Sequence, residues 1–131
     1  ALRNYFNLSE ASPSIRAIKE IANQCPDYTL LYARLQIALA HLRLVHGDTS
    51  LAAEHTSESL NAYLTMYDDM DRSMLYPYFN IGVSWLFIGD RGRSKKSLYK
   101  CYLVMQQSPS QVDARSTSMI LFYVGYACQD E

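Results

Sequence analysis

Two Gly-Asp pairs, Gly47-Asp48 and Gly89-Asp90, recur along the chain, and each ends one apolar, helix-spaced stretch and opens the next. A constant step of roughly 20–50 residues is the sequence mark of stacked supersecondary units, because a single helical hairpin cannot bury its apolar faces alone and must share them with a neighbour. Small residues keep the step that separates Gly47 from Gly89. Ala40 and Gly82 stand at that interval, Gly125 follows one position late, and each precedes a turn by the same distance. For Gly125 that turn would fall at the first residue beyond the chain, and the chain starts with alanine instead of methionine. On both counts a piece cut from a longer protein is expected.

The stretches between the turns read as helices, and no strand pattern occurs. The four prolines all fall near expected boundaries. Ser12-Pro13-Ser14 starts a first helix, with Ser12 as its N-cap and Pro13 in the first turn, and Cys25-Pro26-Asp27 ends it. Ile15, Ile18, Ile21 and Ala22 recur between them at helical spacing. Further helices are expected over about 29–45, from Thr49 or Ser50 to 67, over 74–88, over about 92–105, and over 114–128. The acidic run at 68–71 and Ser108-Pro109-Ser110 separate them. Gly82 sits in the apolar run YFNIGVSWLFIGD, where it costs roughly 1 kcal/mol of helix propensity relative to alanine. Close approach of a neighbouring helix accounts for it, with Ser94 or Leu98 facing the gap.

Tyr78, Ile81, Gly82 and Trp85, followed by Gly89-Asp90, resemble the first helix of a tetratricopeptide repeat. Ser94, Leu98 and Cys101 occupy the alanine, large apolar and alanine places of that family's second helix, with Pro109 arriving a few residues late. Ser14, Ile18, Ile21 and Pro26 look like the second helix of a preceding unit, while Ala52 or Ala53 with Leu60 fit the pattern only loosely. The long period and Gly-Asp turns are also similar to the repeats of large bacterial transcription activators of the maltose-regulator type. The resemblance implies an all-α, right-handed α-solenoid of about three helical hairpins, one domain over residues 1–131. In that family the first helices line a concave groove. Carried over, the groove would include Tyr76, Phe79, Asn80 and Val83, with Arg34, Ile37 and His41 on one side and Met119, Phe122, Tyr123 and Tyr126 on the other.

Charge and chemistry narrow the function by exclusion. The 12 Lys plus Arg balance 13 Asp plus Glu, so no global field favours nucleic acid or an anionic membrane. No apolar run approaches the roughly 18 residues of a membrane span. Cys25, Cys101 and Cys128 are odd in number and lack metal-type spacing, which suits reduced thiols in a cytoplasmic setting. His41 and His46 are five positions apart and do not share a helix face as two ligands would. Asp68, Asp69 and Asp71 lack the glycine and closing glutamate of a calcium loop. No phosphate loop, nucleophile elbow or zinc-protease motif occurs, so no enzyme and no cofactor are expected. Arg93, Lys96 and Lys100 share one helix face and read first as a solvated outer surface, then as a charge complement to the acidic segment at 68–71 in repeat stacking or a dimer contact, or as a contact for phosphate or an acidic partner.

Tyrosine is the unusual component, 11 residues against four phenylalanines, and its apolar body with a polar tip suits partly wet interfaces. The sequence is therefore read as a protein- or peptide-interaction module using an aromatic concave groove. The second reading is an effector-sensing or oligomerisation domain of a bacterial transcription activator, with a small-molecule effector in the same groove. Homodimerisation is expected where terminal repeats leave faces uncapped.

Overall fold

In the computed structural model, residues 26–129 are described, the side chains of Pro26 and Asp27 excepted. The expected helix over 13–25, with Cys25, lies outside the described residues. Within them the chain is helical and contains no strand: α1 (Pro26–Val45), α2 (Thr49–Met66), a 3-10 turn (Arg72–Met74), α3 (Leu75–Ile88), α4 (Arg91–Gln107), a second 3-10 turn (Pro109–Gln111) and α5 (Ala114–Ala127). α1 begins at Pro26, before the expected start near Thr29, with proline in the first position, where its missing N–H costs nothing.

The Gly-Asp turns work as paired caps. Gly47 (φ 78°) and Gly89 (φ 101°) are the two described residues in the left-handed region, which a β-carbon disfavours. The aspartate after each glycine caps the next helix: Asp48 Oδ1 accepts from the Leu51 N–H at 3.1 Å, and Asp90 Oδ1 from the Arg93 N–H at 3.0 Å. Asp113 repeats the device at the start of α5, accepting from the Ser116 N–H at 2.8 Å. In the acidic run, Asp71 Oδ1 accepts from the Ser73 N–H at 2.8 Å and so caps the first 3-10 turn.

Each helix packs on the next, and α1 and α5 also touch α3. The step from Gly47 to Gly89 also governs what each helix buries. Ala52, His55, Thr56, Ser59, Ala62 and Tyr63 are the buried positions of α2, and each recurs one step on among the buried positions of α4: Ser94, Ser97, Leu98, Cys101, Val104 and Met105. Likewise Tyr32, Ala33, Gln36, Leu39 and Ala40 of α1 match the buried Met74, Leu75, Tyr78, Ile81 and Gly82. Polar contacts follow the step. Ser59 Oγ donates to the Ala33 carbonyl at 2.8 Å, and its counterpart Cys101 Sγ donates to the Leu75 carbonyl at 3.3 Å.

At Gly82 the α4 helix comes close against α3. A β-carbon there would stand 2.6 Å from Leu98 Cγ and 3.2 Å from the Leu98 backbone nitrogen, and Ser94 Oγ donates to the Gly82 carbonyl at 2.7 Å. Close approach of α4 is thus the reason for glycine in this run. Tyr78 and Trp85 flank it, both buried, each worth on the order of 2–3 kcal/mol of apolar transfer. Gly125 differs: it is exposed, with nothing within 4 Å of where its β-carbon would sit.

Candidate functional site

The aromatic residues expected to line a groove are brought together on α3 and α5. Phe79 of α3 meets Tyr123 of α5 edge-on, with ring centroids 5.5 Å apart. Tyr123 meets Phe122 edge-on at 5.3 Å, and Phe122 stacks with Tyr126 at 6.4 Å. The Tyr76 hydroxyl donates to Ser116 Oγ at 3.4 Å, a second link between the two helices. Arg91, at the start of α4, closes one end: its Nη1 donates to the Gln129 carbonyl at 2.8 Å and its guanidinium lies 5.8 Å from the Tyr126 ring centre.

The surface is apolar because α5 has few neighbours. Only Ile120 and Ala127 of this helix are buried, while Met119, Leu121, Phe122 and Tyr126 keep 43, 48, 64 and 47% of their surface exposed. Phe79, Val83 and Tyr123 are half-buried, so they join the surface to the core, and Asn80 is exposed on α3. Arg34 and His41 are exposed on α1 and make no hydrogen bond, ion pair or ring contact with this cluster. Arg34 instead hydrogen-bonds Tyr63 of α2. Ile37, expected beside them, is buried in the core.

A second concavity was not singled out by sequence reasoning. It lies between α2 and α4 over the floor of α3, has a volume of about 290 Å³, and combines Tyr78 and Trp85 with Arg93, Lys96 and Lys100. The basic face expected to be plain solvated surface therefore forms one wall of a groove. The signal lay in the sequence as Trp85 and Tyr78 preceding the basic run, but only the packing of α4 against α3 beside α2 makes them neighbours.

Titratable groups elsewhere are tied into structure. His55 is buried between α1 and α2, and its Nδ1 donates to Gln36 Oε1 at 2.6 Å. Burial, then the nearby Arg43 charge, hold His55 below its ordinary value, with Glu58 opposing. His46 Nδ1 donates to the Leu42 carbonyl at 2.9 Å, closing the end of α1. Burial pushes the Cys101 thiol up to about 12, so it stays protonated at neutral pH and donates to Leu75, while Cys128 is exposed. Among the described residues no group of three His, Cys, Asp or Glu side chains could hold a metal ion, and no helix is long and apolar enough to cross a membrane.

No protein-family model, curated protein or solved structure matches the chain.

Proposed function

We propose that the chain is a helical-repeat interaction module whose aromatic surface on α3 and α5 holds an apolar segment of a protein or peptide partner. The observation that carries this reading is the aromatic surface joined across α3 and α5: Phe122 and Tyr126, both largely in solvent, continue from the half-buried Phe79 and Tyr123. A single exposed apolar residue needs no explanation, but a contiguous cluster with a polar rim is the mark of a protein contact. Its tyrosine tips, with Arg91 and Asn80 beside them, offer the few polar anchors that fix a peptide's orientation.

The correspondence of buried positions in the two hairpins, one Gly-Asp step apart, supports a stacked repeat of the tetratricopeptide kind as the scaffold. In such a right-handed solenoid α1, α3 and α5 are successive first helices on the concave side. The contacts of α3 with both α1 and α5 fit that order. The reading is one of binding without turnover, in a cytoplasmic setting.

Selection of displayed random peptides on the wild-type chain and on Phe122→Ser/Tyr126→Ser tests the reading. Both substituted residues are exposed, so the variant keeps its fold. Enrichment of peptides with apolar anchors on wild type alone is the expected result. Equal enrichment on both proteins, or none, would overturn it. A concentration-dependent dimer abolished by the same two substitutions would replace the peptide with a second copy of the chain.

A further inference from the structure

The groove between α2 and α4 shares no residue with the aromatic surface, and stands whether or not that surface binds a peptide. Its floor is Tyr78 and Trp85, and its α2 wall includes Leu60, Leu64 and Asn61. The opposite wall carries three cations. Arg93 lies with its guanidinium 4.7 Å from the Trp85 ring centre, oriented by its Nε, 3.5 Å from Asp90 Oδ2. Lys100 is 3.3 Å from Asp69 Oδ2, with its ammonium 5.7 Å from the Tyr78 ring centre. Lys96, between them on the same helix face, makes no ion pair or hydrogen bond among the described residues. Among the described residues three cations thus face two carboxylates, and Lys96 is the cation left without an ion pair.

Stacking of the helices does not call for these cations. The residues one repeat step earlier, which stand at the same places on α2, are Leu51, Glu54 and Glu58. The buried face of α4 repeats that of α2, whereas this outer face reverses its charge. A basic wall over an aromatic floor is therefore a property of the groove and is not required by the fold.

We infer that this groove binds a small organic anion whose carboxylate or phosphate is carried on a planar apolar body. The anion would meet Lys96 and the outer edge of the Arg93 guanidinium, while the planar body would lie along Leu60, Leu64 and the edge of Trp85. A volume of about 290 Å³ suits a ligand at the small end of the usual range and leaves no room for a helix. The apolar lining of Leu60 and Leu64 disfavours bare inorganic anions as the preferred occupant, because they would leave it in water and keep their own hydration. Asp69 and Asp90 serve as internal counterions that hold Lys100 and Arg93 in place until an external anion arrives.

Trp85 is the chain's single tryptophan, so its emission reports occupancy of this groove directly. Titration with phenyl phosphate at low ionic strength should give a saturable change that weakens as salt is added. Lys96→Glu, an exposed substitution, should weaken it by about tenfold or more, the loss of one charged hydrogen bond with a repulsion added. Phe122→Ser/Tyr126→Ser should leave it unchanged, and benzyl alcohol, apolar but uncharged, should give no saturation. An absent or non-saturable response to phenyl phosphate, or an equal response in Lys96→Glu, would overturn the proposal. Saturation by a hexaglutamate peptide but not by phenyl phosphate would overturn it in favour of an acidic protein segment.

Discussion

Gly82 and Gly125 occupy helices of similar character yet face opposite surroundings, and substitution should move stability in opposite directions. At Gly82 an added methyl gains roughly 1 kcal/mol of propensity but meets Leu98 Cγ at 2.6 Å, with backbone behind it. The clash wins, and Gly82→Ala is expected to lose about 1–2 kcal/mol net, read from urea midpoints. At Gly125 nothing opposes the propensity gain, so Gly125→Ala should stabilise by up to about 1 kcal/mol. A neutral Gly82→Ala would show that α4 can yield at this point. His55 supplies a pH dependence of definite sign. Its folded-state value is held below the ordinary 6.5, so below that pH the unfolded chain binds the proton more readily than the folded one. Stability should be full above about pH 6.5 and decline as pH falls below it. His55→Gln should reduce the slope of denaturation midpoint against pH, and an unchanged slope would remove His55 from the account.

Helix boundaries were legible because they are written in residues with backbone consequences. Glycine at 47 and 89 reaches the left-handed region, and aspartate after each caps the next helix. Asp48→Ala and Asp90→Ala should each cost about 1 kcal/mol, at the starts of α2 and α4 respectively, measured by thermal or urea unfolding. What the sequence hid was the register of α2. Leu60 looked like the large core position, yet the fully buried places one helical turn apart are Thr56 and Ser59, and Leu60 is only half-buried. Hydrophobic periodicity misses them because they are polar. They tolerate burial through Thr56 Oγ1 donating to the Ala52 carbonyl at 2.8 Å, with Ser84 Oγ at 2.8 Å beyond it, and through Ser59 donating to Ala33. The Gly-Asp step, applied backward from Leu98 and Cys101, finds both.

At the scale of the whole molecule, two hairpins with matching buried positions and a following helix give the chain two different surfaces. The α3 and α5 positions were readable from the sequence because the repeat step, one residue longer here, carries Phe79, Asn80 and Val83 onto Phe122, Tyr123 and Tyr126, and the structure joins Phe79 with those three aromatics in one cluster. Arg34 and His41, placed beside them by the same step, have no contact with that cluster, since the step says which face a residue shares but not how far along it the contact runs. The α2–α4 groove was invisible in one dimension, because its walls come from segments far apart along the chain and its floor from a third helix between them. Amide NMR spectra of the wild-type chain, titrated with a peptide selected on it, locate the binding surface residue by residue. Shifts concentrated at Phe79, Phe122, Tyr123 and Tyr126, and lost with Phe122→Ser/Tyr126→Ser, are the predicted result. Shifts concentrated instead around Trp85, Lys96 and Lys100, or spread without a focus over all the described helices, would contradict it.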